Sequence, residues 1–129
     1  MTADLRDILH TPYELGGRTV GVGIDCLGTV AEVARRRGLP PPDGWPSIRA
    51  SWQRGEIDAA TGFPAGWRRQ PAGTVLQDLD VLLFFSGDHP WCAIVDGGMV
   101  VTAHPKAGPH ARPLNRWRLA PAEVWRYQP

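Results

Sequence analysis

A chain of 129 residues with 43% apolar composition has room for one core and is too apolar to stay disordered. Its formal net charge of +1 gives no whole-molecule pull toward nucleic acid or an anionic membrane. Its two cysteines are too few for a disulfide framework, although a single Cys26–Cys92 bridge stays open.

The N-terminal stretch from Met1 to Asp7 lacks a basic region followed by an apolar run, so no secretory leader is expected. The longest apolar run, Val81 to Phe85, is far too short to span a bilayer. The expected setting is the cytoplasm, or exit from the cell without an N-terminal signal. Thirteen prolines and fifteen glycines predict long irregular connections between few regular elements. A single domain covering 1–129 is expected.

In chain order, residues 3–10 read as a short helix with Leu5, Ile8 and Leu9 on one face, ended by Thr11-Pro12. A turn-rich segment from Tyr13 to Arg18 follows, and Gly21 and Gly23 keep the next loop free of side chains. The stretch Gly23-Ile24-Asp25-Cys26-Leu27-Gly28-Thr29-Val30 then opens the main helix, expected over 26–37. Asp25 is a good N-cap, Val30, Val33 and Ala34 recur at helical spacing, and Arg35-Arg36-Arg37 before Gly38 complements the dipole. A thiol on the first turn of a helix loses its proton more easily, which suits a nucleophile. A free cysteine is more often a small buried apolar residue than a nucleophile.

The proline-rich Leu39–Pro46 stretch reads as extended or turn, Ser47–Arg54 as a second helix, and Gly55–Gly73 as a loop packed by Phe63 and Trp67. The β part starts near Val75. Asp80–Phe85 is a strand buried on both faces, Trp91–Val95 the next, and Met99–Ala103 the third after the Asp96-Gly97-Gly98 turn. Pro105–Pro113 reads as loop, Asn115–Leu119 as a fourth strand and Val124–Tyr127 as a fifth. Helices followed by an antiparallel sheet make the class α+β. No metal-ligand spacing such as Cys-x-x-Cys or His-x-x-x-His occurs, so no metal and no cofactor are expected. Arg68-Arg69 reads as a solvated pair, and no aromatic–basic interleaving supports nucleic-acid binding. Six tryptophans read mostly as core, with one or two free to contact a partner protein.

The order of these features carries a resemblance. Pro12-Tyr13-x-x-Gly16-Gly17 precedes Gly23-x-Asp25-Cys26-x-Gly28-x-Val30 at a helix entry. An Asp-led apolar strand and an Ile/Val-rich hairpin follow. From about Leu5 to Trp117 this resembles the NlpC-type cell-wall cysteine peptidases, and most of all their forms in tailed phages, prophages and gene-transfer particles. The resemblance implies a circularly permuted papain-like fold, with N-terminal helices packed on a small antiparallel sheet. It implies Cys26 as the nucleophile, Asp25 as the holder of the substrate amine and Tyr13 as a helper at the oxyanion. The base should be a histidine opening the first hairpin strand, with a polar residue at the end of the next strand to orient it.

The hairpin departs from that pattern. Trp91 aligns with the base, and indole N–H cannot accept a proton. The orienting position falls on Thr102, and Leu79-Asp80 stands where Gly-Asp is usual. His89 and His104 are the substitute bases to consider, while His10 and His110 read as surface residues. The expected function is therefore a tail-tip or tail-assembly domain with weakened or lost catalysis. The alternative is an active cysteine endopeptidase or amidase cutting peptidoglycan stem peptides. A toxin or another acyl transferase is a weaker third reading. Tail-tip or hub proteins are the implied partners, peptidoglycan peptides the implied ligand, and the virion tail, or the bacterial cytoplasm before assembly, the implied location.

Overall fold

The computed structural model describes residues 3–42, 62–85 and 90–129. The expected helix at Ser47–Arg54, together with Trp45, Trp52 and His89, lies outside the described residues.

Helix α2 (Cys26–Arg36) forms because a cap, an apolar stripe and a basic last turn agree. Asp25 accepts the Gly28 N–H at 2.7 Å. Leu27, Val30, Val33 and Ala34 are buried on its inner face. Each of the larger three contributes about 1.5–3 kcal/mol as an upper bound. Before it come α1 (Arg6–Leu9) and a two-residue ribbon of β1 (Arg18–Thr19) with β2 (Gly23–Ile24). The arginines ending α2 fasten it at distance. Arg36 grips Asp7 at 2.7 Å, and Arg37 bonds Asp78 at 2.6 Å and also the buried Asp96.

The sheet is six-stranded and antiparallel throughout, with spatial order β3-β8-β4-β5-β6-β7. Its strands are β3 (Trp67–Arg69), β4 (Val81–Phe84), β5 (Trp91–Asp96), β6 (Met99–His104), β7 (Gly108–Pro113) and β8 (Glu123–Tyr127). The α+β class expected from sequence describes this arrangement, and both helices expected within the described residues are present as α1 and α2. The central meander β4-β5-β6 falls where the apolar runs put it. Three expectations fail. Residues 108–113, read as loop, form edge strand β7. Residues 115–119, read as a strand, form the end of a 3-10 turn (Leu114–Arg116) and irregular chain. The loop around Trp67 carries edge strand β3, paired to β8. Proline hid β7 in the sequence, since Pro109 and Pro113 lack the N–H that an inner strand requires but an edge can spare.

Alternation sorts the sheet into two faces. Val81, Leu83, Cys92, Ile94 and Val101 pack with α2. Leu82, Phe84, Ala93, Val95 and Val100 form the other face, covered by Leu76, Leu114 and Trp117. Strand β4 is buried on both. Among the described residues no helix is long and apolar enough to cross a membrane.

Candidate functional site

A cleft of about 800 Å³ opens between the start of α2 and the β5–β6–β7 end of the sheet. Its helix wall is Tyr13, Leu15, Asp25 and Cys26, and its strand wall includes Trp91, Thr102, His104, His110 and Trp117. The sequence-predicted residues Tyr13, Asp25, Cys26, Trp91, Thr102 and His104 are thus all brought to one cleft.

The helix wall is held mostly by main chain. Ile24 donates to the Pro12 carbonyl at 3.0 Å, and Glu14 N–H donates to Ile24 at 3.2 Å. Tyr13 bridges to Ile24 in parallel. Gly28 is packed so closely that a Cβ there would meet the Gly17 carbonyl oxygen at 2.3 Å. This close approach is why a glycine stands two residues after the cysteine. The Asp25 carboxylate is 3% exposed. Besides Gly28 it accepts the Gly16 N–H at 2.8 Å and the Arg18 guanidinium at 2.8 Å. Three donors inside the protein therefore occupy the group that the resemblance assigned to a substrate amine.

Cys26 is 7% exposed and lines the cleft, while Cys92 is fully buried. Both cysteines are free and lie in the same core cluster. Hydrogen bonding with Cys92, and with the Leu27 N–H, holds the Cys26 thiol below its ordinary pKa, against burial and the Asp25 charge. The same hydrogen bonding and burial push Cys92 well up. Cys26, on the first turn of α2 and open to the cleft, is the member of the pair placed to ionise.

Across from the nucleophile position stands a second thiol. Trp91, one residue earlier on β5, turns to the other face of the sheet. There it stacks on Phe84, with ring centroids 4.0 Å apart and planes 9° apart, and meets Trp117 edge-on. The pairing of β5 with β6 runs Asp96↔Met99, Val95↔Val100 and Ile94↔Val101. Counting back from that turn sends Ile94 and Cys92 to the helix, and Ala93 and Trp91 away from it. Trp91 nonetheless lines the cleft with Cys26 and packs against the helix-side cluster as well.

Thr102 is buried, and its hydroxyl donates to the Cys92 carbonyl at 2.6 Å. It pairs across β6–β7 with His110. His104 is exposed, and its Nδ1 accepts the Lys106 N–H at 3.1 Å. In the neutral ring Nε2 then carries the proton and cannot serve as a base. His110, read from sequence as a surface residue, is half-buried on the cleft wall. Its Nδ1 bonds the Gly108 carbonyl at 3.0 Å, which leaves Nε2 as the acceptor. His110 shares its sheet face with Thr102, however, and not with Cys92. The groups that shift the Cys26 thiol are Cys92, Asp25 and the Leu27 N–H, with no histidine among them.

Sequence reasoning missed Cys92 and the basic character of the strand wall, where Lys106, Arg112, Arg116 and Arg118 gather. The first was within reach, because the Asp96-Gly97-Gly98 turn fixes which β5 residues point inward. The second depended on recognising β7. Among the described residues no three His, Cys, Asp or Glu side chains converge to hold a metal ion. No family model matches the chain, and no curated protein matches it.

Proposed function

We propose that the chain is an NlpC-like domain of a phage or prophage tail, built on a circularly permuted papain-like fold, in which the nucleophile position persists and the base does not. The carrying observation is the Cys92 thiol facing Cys26 where such a domain needs an imidazole. A buried thiol with its pKa pushed up cannot take a proton from its neighbour and return it to a leaving amine. The cleft then acts as a binding surface. Its four cations favour the carboxylates of peptidoglycan stem peptides, and tail-tip or hub proteins are its neighbours in the assembly. Incubation with muropeptides tests this. We expect retention of stem peptides without cleavage. Cleavage that disappears in Cys26→Ala would overturn the proposal.

One observation favours a second reading, an active cysteine endopeptidase or amidase. The Cys26 thiol is held below its ordinary pKa at a helix N-terminus, as a nucleophile requires. That reading needs an imidazole to reach Cys26 in the substrate complex, and the same incubation decides between the two.

A further inference from the structure

The cysteine pair is asymmetric in a way that a spare core thiol does not explain. Cys26 begins α2 and opens onto the cleft. Cys92 lies on β5 with no exposure, in the same core cluster as Cys26. A reagent entering the cleft meets Cys26 and is closed off from Cys92.

We propose that Cys26 and Cys92 form a dithiol site that exchanges with disulfides, with Cys26 as the attacking thiol and Cys92 as the resolving one. The proposal shares Cys26 with the function proposed above but does not depend on it. In the first step the Cys26 thiolate attacks one sulfur of a disulfide R–S–S–R. The S–S bond breaks, one R–S⁻ leaves and takes up a proton, and Cys26 carries a mixed disulfide. In the second step Cys92 gives up its proton and its sulfur attacks Cys26 Sγ. The mixed disulfide breaks, a second R–S⁻ leaves and is protonated, and a Cys26–Cys92 bond remains. Two protein thiols are oxidised to one disulfide, and the small disulfide is reduced to two thiols.

Three features suit this sequence of events. Cys26 opens onto the cleft where a disulfide can enter, while Cys92 is closed to it. The hydrogen bond from Cys92 favours the Cys26 thiolate before reaction. Once Cys26 is capped, that bond is gone, and with it the leading cause of the raised Cys92 pKa. The second thiol is therefore released for attack by the first step.

The test uses the purified full chain and glutathione disulfide, followed by intact mass and thiol alkylation. The wild type should lose both thiols together, ending two hydrogens lighter and free of glutathione. Cys92→Ser should stop at a glutathione adduct on Cys26. The wild-type adduct should be shorter-lived than that of Cys92→Ser by at least about tenfold, because the resolving step is intramolecular. Cys26→Ser should leave Cys92 unmodified in the folded protein. A lasting glutathione adduct in the wild type would overturn the proposal, as would two thiols that stay unreacted. Both readings come from unmutated protein. Stem-peptide retention is a separate measurement, so either idea can fail without the other.

Discussion

Asp25 and Asp80 make an instructive pair. Both are buried aspartates, both stand at the entrance of a core element, and both are met by an arginine from another part of the chain. Asp25 precedes α2 and accepts Gly28 N–H, Gly16 N–H and Arg18. Asp80 precedes β4 and accepts Gln77 N–H at 2.8 Å and the Arg126 guanidinium at 2.7 and 2.8 Å. The first lies beside a thiol on a cleft, and the second does not line that cleft. The same device serves in both places, so an Asp next to a Cys is not by itself a mark of chemistry. What distinguishes the two regions is the cleft-lining Cys26 beside the first.

The largest effects should come from removing either carboxylate. Asp80→Ala leaves Arg126 without its partner in a mostly buried site and should cost about 3–5 kcal/mol in urea unfolding. Asp25→Ala loses a helix cap, worth about 1 kcal/mol. It also strands the Gly16 N–H and removes the carboxylate partner of Arg18, which brings the total to roughly 3 kcal/mol. A loss below about 1 kcal/mol at Asp25 would break the comparison. It would mean that this carboxylate is held in place for a ligand and not for the helix.

Cys92→Ala sharpens the comparison at smaller cost. The residue is small and buried, so unfolding should shift by about 1 kcal/mol or less. Cys26 should respond far more. Losing the Cys92 hydrogen bond removes the leading cause that holds its thiol down. The midpoint of its alkylation rate against pH should therefore rise. An unchanged profile would mean that the helix entry alone sets Cys26 reactivity.

These expectations also show where the sequence was legible. The cap at Asp25, the stripe on α2 and the three-stranded meander follow from local chemistry, because hydrogen-bond geometry and period are written in adjacent residues. Asp80 was readable as a strand start, but its partner Arg126 lies 46 residues away, and nothing local announces that contact. The same holds at the site. Cys26 was found from its helix, whereas its facing residue depends on register across a hairpin, where a slip of one residue exchanges Trp91 for Cys92. Strand β7 escaped because two prolines mimic a loop, and with it went His110 and the cationic wall.

The surface carboxylates Asp7 and Asp78 give a milder, pH-dependent signature. Hydrogen bonds from Arg36 lower Asp7, and those from Arg37 and the Gly97 N–H lower Asp78 against the opposing effect of its burial. A carboxylate with a lowered folded pKa contributes stability above its unfolded value of 3.8. That contribution disappears as pH falls through the lower folded value. Unfolding midpoints should therefore be level from neutral pH to about 5 and fall below about 4. The fall should be shallower in Asp7→Asn, which no longer titrates. An equally steep fall in that variant would place the acid sensitivity elsewhere.

The smallest effect belongs to Leu79, just before Asp80. It holds φ at 68°, the only non-glycine residue with positive φ among those described. Its N–H still donates to the Val95 carbonyl at 2.7 Å, so the turn into β4 is fixed even though a side chain is strained in it. That conformation costs about 1–2 kcal/mol for an L-residue. Leu79→Gly relieves the cost, but it gives up packing against the α2-side core and adds freedom to the unfolded chain. The net change should stay within about 1 kcal/mol. Leu79→Ala loses the packing and keeps the strain, so it should be the less stable of the two. Alanine is ordinarily the better tolerated replacement, so this order reports the backbone directly. If alanine proves the more stable, the entrance to β4 is set by side-chain packing. It would then differ from the entrance to α2, where main-chain contacts and glycine set the geometry.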